Sequence, residues 1–201
     1  MRNMFKRIAL SLAFSAVAAG SAMAQNHLRV GLAEDPDVLD PTLARTYVGR
    51  IVFSSICDKL FDIDEKLSVV PQLALSHETS PDGRSVTIKL RPGVKFHDGE
   101  PFNAEAAKYS LDRHLNMKGS FRKPEIGSVT SVEIVDPMTI KLVLKEPFSP
   151  LLAQLTDRAG MMVSPKAAEA AGDIAAQAAA HLSLCHMYGV RGQISDSIRE
   201  S

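Results

Sequence analysis

The chain reads as an α/β fold, and three observations carry that reading. Apolar and polar residues alternate over Val86, Ile88 and Leu90, and again over Thr139 to Leu144, with the period of half-buried strands. Apolar residues recur at helical spacing over Val48, Ile51, Val52, Ser55, Ile56 and Leu60, and over Ala107, Leu111 and Leu115. Turn codes built from Pro, Gly and Asp separate these runs.

Taken in order, the first element is a targeting segment. Arg2, Lys6 and Arg7 precede an apolar stretch from Ile8 to Ala19, and Ala22-Met23-Ala24 has the small-residue pattern of a cleavage site. The stretch falls short of the roughly 20 residues a spanning helix needs. Cleavage after Ala24 is therefore expected, with an uncleaved anchor as the alternative. No Cys follows the site, so no lipid anchor is expected. The 23 basic and 23 acidic residues balance, and the signal holds three of the basic ones and no acid. The mature part is then three charges net negative. It has no basic cluster and no Trp, which gives nucleic-acid binding no support.

Leu28 to Leu32 is expected as a strand and Ala33 to Pro41 as a loop, because Asp-Pro breaks exclude regular structure there. Thr46 to Leu60 reads as a helix. Phe61 to Asp64 leads through a Glu65-Lys66 turn to a short strand near Ser68 to Val70. Ser80-Pro81-Asp82-Gly83 is a turn: Pro sets φ, Asp bonds its own backbone and Gly accepts positive φ. A small meander follows, with Val86, Ile88 and Leu90 and then Val94 and Phe96 on its apolar face. Asn103 is an N-cap for a helix through Asn116, with Glu105 in the dipole-favoured first turn. Val132 to Val135 and Thr139 to Leu144 form a hairpin about Asp136-Pro137-Met138. Ser149 to Thr156 is a short helix with Pro150 at its first position. Met161 to Val163 is a short strand, and Ser164-Pro165 caps a helix through Ala171.

Cys57 and Cys185 can form one disulfide in an oxidising compartment, or Cys57 is simply buried on its apolar stretch, Ile51 to Leu60. Without C-x-x-C there is no case for redox catalysis. His181, Cys185 and His186 fall short of the four ligands that zinc wants. No G-x-x-x-x-G-K-[ST] is present.

The succession SPDG, strand, LRPGVKFHDG and PFNAE, followed by a helix ending SLDR, closely resembles the family 5 solute-binding proteins of ABC importers. The resemblance runs from about Leu28 to Asp173. His77, Val86 and Ile88 stand where aromatics are common in that family, and all three remain compatible with a strand. It implies a partial lobe of a two-lobe periplasmic-binding-protein fold. Residues 25–58 would give the first strand and helix of the main subdomain, and residues 59–173 a smaller α/β subdomain. The second lobe is missing: Ile174 to Ser201 lacks the family's Gly-rich segment. A frameshift or truncation near codon 173 is expected, with a natural short variant as the alternative.

The resemblance further implies a monomeric periplasmic receptor. It would capture a peptide-like solute and deliver it to an ABC permease in the inner membrane, with no cofactor and no covalent chemistry. With one lobe, weak or absent binding and low stability are expected. Its candidate contacts are Glu34 and Asp35, Arg45 and Tyr47 at the helix start, Phe121 with Arg122, and Arg158. Asp40 is expected to shape a turn, and Asp37 either does the same or faces the ligand. Glu34 and Asp35 can bond a ligand amine or do the same as Asp40. Arg158 suits a carboxylate bidentately, or else pairs with Asp157 or the helix end. Two other classes are an interaction module using the smaller subdomain, and a hydrolase using His97 and Asp98. The latter lacks a recognisable nucleophile and sits in the family turn.

Overall fold

The computed structural model of the protein describes residues 29–170. The signal segment, Cys185, the H-x₃-C-H spacing and the tail from Ile174 lie outside the described residues. The chain divides at Leu32 into two units. Of the first, Arg29 to Leu32 are described; they are exposed and carry no strand, in contrast to the expectation over Leu28 to Leu32. A strand exists through its hydrogen bonds to a neighbour, and neither described sheet includes this segment.

The second unit opens with the loop from Ala33 and helix α1, Tyr47–Ile56. Thr46 caps α1 in extended conformation, its Oγ1 accepting from Gly49 N at 3.0 Å. The helix stops short of Leu60 because Cys57 turns extended. Leu60 instead donates its N–H to Gly160 O at 2.8 Å. Gly160 is needed at that approach: a Cβ there would lie 1.9 Å from Leu155 O.

Strands β1 (Phe61–Ile63) and β2 (Val69–Pro71) pair antiparallel. Asp64 Oδ1 closes their turn by accepting from Lys66 N and Ser68 N. The main sheet is antiparallel and four-stranded, in the order β3-β4-β6-β5. Its strands are β3 (Ala74–Thr79), β4 (Ser85–Leu90), β5 (Val129–Asp136) and β6 (Thr139–Leu144). The SPDG turn joins β3 to β4 as expected, with Gly83 at φ +69° and Asp82 accepting from Arg84 N.

The meander does not continue beyond Leu90. The second edge of β4 is taken by β6, Ile88 facing Ile140 and Val86 facing Leu142. Residues 91–102 are irregular save for a bridge between Lys95 and Pro101. Val94 and Phe96 still pack on the core, Phe96 edge-on to Phe102.

Helix α2, Ala104–Asn116, covers one face of the sheet. Its Ala107, Leu111 and Leu115 pack into one cluster with Val86, Ile88, Leu90, Val132, Ile140, Leu142 and Leu144. Each of these Val, Ile and Leu side chains contributes about 1.5–3 kcal/mol by leaving water. Asn103 caps the helix, accepting from Ala106 N at 3.0 Å. The opposite face carries Thr87, Lys141 and Glu133 in register across three strands.

Short helices α3 (Lys123–Ile126), α4 (Leu151–Gln154) and α5 (Pro165–Ala170) and a 3-10 turn, Arg158–Gly160, complete the unit. Met161 to Val163 is not a strand; a single bridge joins Met161 to Lys59. Ser110 Oγ on α2 ties this segment to the helix, accepting from Val163 N at 3.0 Å while its own proton goes to Ala106 O at 2.9 Å. A second core cluster of Ala44, Phe53, Met161, Val163 and Ala167 ties α1 to this segment and to α5.

Candidate functional site

The loop from Asp37 to Thr46 is where the candidate contacts converge. Asp37 shapes it: Oδ2 accepts from Arg45 N at 2.9 Å and Oδ1 from the Thr46 hydroxyl at 3.0 Å. Burial raises its pKa, but these bonds outweigh it and hold the carboxyl below the usual range. Asp40 is fully buried and also shapes the loop, accepting from Thr42 N at 2.8 Å. It is paired besides with the Arg113 guanidinium from α2, Nη1 donating to Oδ1 at 2.8 Å and Nη2 to Oδ2.

Two buried arginines hold the next part of the loop from beneath. Arg122 Nη2 and Arg158 Nη1 both donate to Ala44 O, at 3.0 and 3.1 Å, and Arg158 Nη1 also reaches Thr46 O at 3.3 Å. Arg158 is thus committed to the loop backbone rather than exposed beside Asp157. The Nε of each arginine is buried with no partner among the described residues. Arg122 Nη1 donates to Glu125 Oε1 at 2.6 Å, and Arg50 Nε to Asp157 Oδ2 at 2.7 Å. Burial pushes the Glu125 carboxyl up and the Arg122 guanidinium down. Burial also works against the Asp157 carboxylate, but the Arg50 hydrogen bond, the Arg158 backbone N–H and the charges of both arginines together keep its pKa low. Arg50, Arg122 and Arg158 outnumber Glu125 and Asp157, so the cluster carries excess positive charge.

Above this layer the surface is open. The exposed Arg45 guanidinium lies over the Phe121 ring, 5.1 Å from its centroid. Phe121 is 42% and Tyr47 71% exposed. Phe121 N donates to Thr42 O at 3.0 Å, which fixes the ring beside the loop. The structure therefore brings Arg45 and Phe121 together and sets Tyr47 at the adjoining start of α1, while the buried Arg158 is tied to the Ala44 and Thr46 carbonyls instead of facing a ligand. Glu34 and Asp35 stand exposed earlier in the loop, and no hydrogen bond ties either to this cluster among the described residues.

Sequence reasoning missed Arg50, Glu125 and the Asp40–Arg113 pair. The one signal for Arg113 was its place in SLDR; its carboxylate partner lies on a loop far upstream. Asp98 is occupied structurally, accepting from Glu100 N at 3.1 Å and from Ser164 Oγ at 2.5 Å. Lys166 pairs with Glu100 beside it, so the His97-Asp98-Gly99 turn is a clasp onto α5. Among the described residues no group of three His, Cys, Asp or Glu is placed to hold a metal. None of the described helices is long and apolar enough to cross a membrane.

The family described as bacterial extracellular solute-binding proteins, family 5 Middle, matches residues 68–181. The glutathione-binding protein GsiB of Salmonella typhi is 38% identical over 165 residues, which are 82% of this chain and 32% of that protein. The chain thus spans about a third of the length of the curated relatives it matches. NikA from Brucella suis, solved in complex with Fe(III)-EDTA, superposes with a TM-score of 0.62 at 30% identity, over 69% of this chain and 28% of that one. A dipeptide-binding protein from Pseudoalteromonas sp. SM9913, solved with Met-Leu, shares the fold with a TM-score of 0.62 at 23% identity, over 68% and 31% of the two chains. These relatives are solute-binding proteins, not enzymes.

Proposed function

The chain belongs to the bacterial extracellular solute-binding proteins of family 5, and on that premise we propose that it serves a periplasmic receptor. The receptor captures a peptide-like solute and passes it to an ABC permease in the inner membrane. The chain reaches the periplasm by a signal cleaved after Ala24 and acts as a monomer without a cofactor. Its own contribution is the surface built on the Ala44–Tyr47 junction. The observation that carries this reading is the stacking of Arg45 on Phe121 directly above the arginine cluster.

A peptide or a glutathione-like molecule presents carboxylates and amides. Excess guanidinium charge favours the carboxylates, and forked N–H donors match their two oxygens. Phe121 and Tyr47 offer apolar faces for the solute's side chains. Glu34 and Asp35, exposed earlier in the loop, would attract an amine by charge alone. That one relative is named for glutathione and a fold neighbour was solved with a dipeptide supports this class of solute.

The reading is tested by titrating isotopically labelled protein with reduced glutathione and, separately, with a dipeptide. Backbone shifts should concentrate at Arg45, Tyr47, Phe121 and the Ala44 amide, saturating no weaker than the millimolar range. Phe121→Ala should weaken that binding at unchanged stability. Shifts confined to other surfaces, or none, would overturn it.

A further inference from the structure

His114 is fully buried near the end of α2, and the solute-binding reading gives it no task. Its ring nitrogens face different partners: Nε2 lies 3.1 Å from Met161 O, and Nδ1 lies 2.9 Å from Thr42 Oγ1. A carbonyl oxygen only accepts, so Nε2 carries the ring proton. Nδ1 is then bare and accepts from the Thr42 hydroxyl. That hydroxyl accepts in turn from Arg113 Nη1 at 2.5 Å, and Arg113 clamps Asp40. The bonds run in one direction, from Arg113 through Thr42 and His114 to Met161, and hold the loop to α2 and to the 161–163 segment together.

We propose that His114 is a proton-sensitive positioning residue: neutral, it holds the Asp40–Arg45 stretch in its solute-presenting place, and a proton on Nδ1 releases that stretch. The proposal rests on the solute-binding reading of the Arg45–Phe121 surface. The proton comes from solvent and takes the Nδ1 lone pair. The Thr42 O–H then loses its acceptor, and a cation appears in a sealed site. The charged groups facing the ring are Arg113 from its own helix, Arg122 from the loop beyond it, and Asp40 from the loop it holds. Two are cations, and the one acid is already paired with Arg113.

Burial first, with Arg113 and Arg122 adding to it, pushes the ring down to about 4. In the released loop the ring meets water and regains its ordinary value near 6.5. The held form therefore keeps its full advantage above about pH 6.5 and loses it as pH falls from there towards about 4. Between about pH 7.5 and about pH 5, release should grow by at least roughly tenfold.

Hydrogen exchange of the full chain tests this without a ligand. After correction for intrinsic rates, the Thr42, Leu43 and Ala44 amides should lose protection by about that factor relative to the β4 and β6 amides. His114→Gln, which can donate and accept but not ionise here, should abolish the step. No step in the wild type, or the same step in His114→Gln, overturns the proposal. Should that variant not fold, nitrogen NMR of the wild-type ring decides: a proton on Nδ1 and a bare Nε2 at neutral pH overturns it. Calorimetry with glutathione separates the two readings. A pH step in the loop without glutathione binding at any pH removes the solute and leaves the positioning role.

Discussion

Asp40 shows how much a single side chain can carry in this molecule. A carboxylate with no exposure is tolerable only with a cation and hydrogen-bond donors around it, and Arg113 and Thr42 N supply them. Burial works against the Arg113 charge as well, but the Asp40 hydrogen bond and charge, with a smaller part from Tyr109, together raise the guanidinium pKa. Arg113→Met should cost about 3–5 kcal/mol, because it strands a buried charge. Urea unfolding measures this, and a loss below about 1 kcal/mol would contradict a paired, buried Asp40. The residue was legible only in part. Its place in an Asp-Pro loop marks it as a shaper of turns, which it is; its ion pair joins segments that no local pattern connects.

At the level of elements, legibility followed local chemistry. Helix α2 was readable to the residue because its cap, first-turn acid and apolar period agree. Asn103→Ala should cost about 1 kcal/mol through the lost Ala106 N–H bond, read as a drop in thermal midpoint that Asn103→Ser largely spares. The β5–β6 hairpin was plain at its turn, where Asp136 Oδ1 accepts from Met138 N at 2.7 Å, and at β6, but β5 starts at Val129, three residues before the expected Val132. Strand β3 was foreseen only through His77, at a family position compatible with a strand: it is an edge strand whose one buried residue is Ala74, so it shows no alternation. Met161 to Val163 misled for the opposite reason. Its apolar run is buried, but its N–H groups go to scattered acceptors, Val163 N to Ser110 Oγ, Met162 N to Asp58 O and Met161 N to Arg158 O, instead of to one neighbouring strand. The site was legible as a set of residue types near the start of α1. Its geometry was not, because Arg122 and Arg158 reach Ala44 O from two distant parts of the chain.

For the molecule as a whole, the pairing order of the main sheet sets a timetable. β3 and β4 are joined by the short turn from Ser80 to Arg84 and can meet as soon as both exist, but the other edge of β4 waits for β6, with α2, α3 and β5 intervening. Closing that long excursion is an entropic toll on the folding barrier, and topologies dominated by such closures fold slowly. Leu142, fully buried opposite Val86, sits where the excursion closes. Leu142→Ala should therefore slow refolding as well as speed unfolding, whereas Thr79→Ala at the outer edge should act mainly on unfolding. Stopped-flow chevrons measure both, and a Leu142 variant that leaves the refolding limb untouched would refute the assignment. During synthesis the same order leaves β4 with a bare flank until residue 144 has appeared. If the chain is exported as proposed, that delay is an asset, since a chain that cannot finish its central pairing early is still loose enough to be threaded across a membrane.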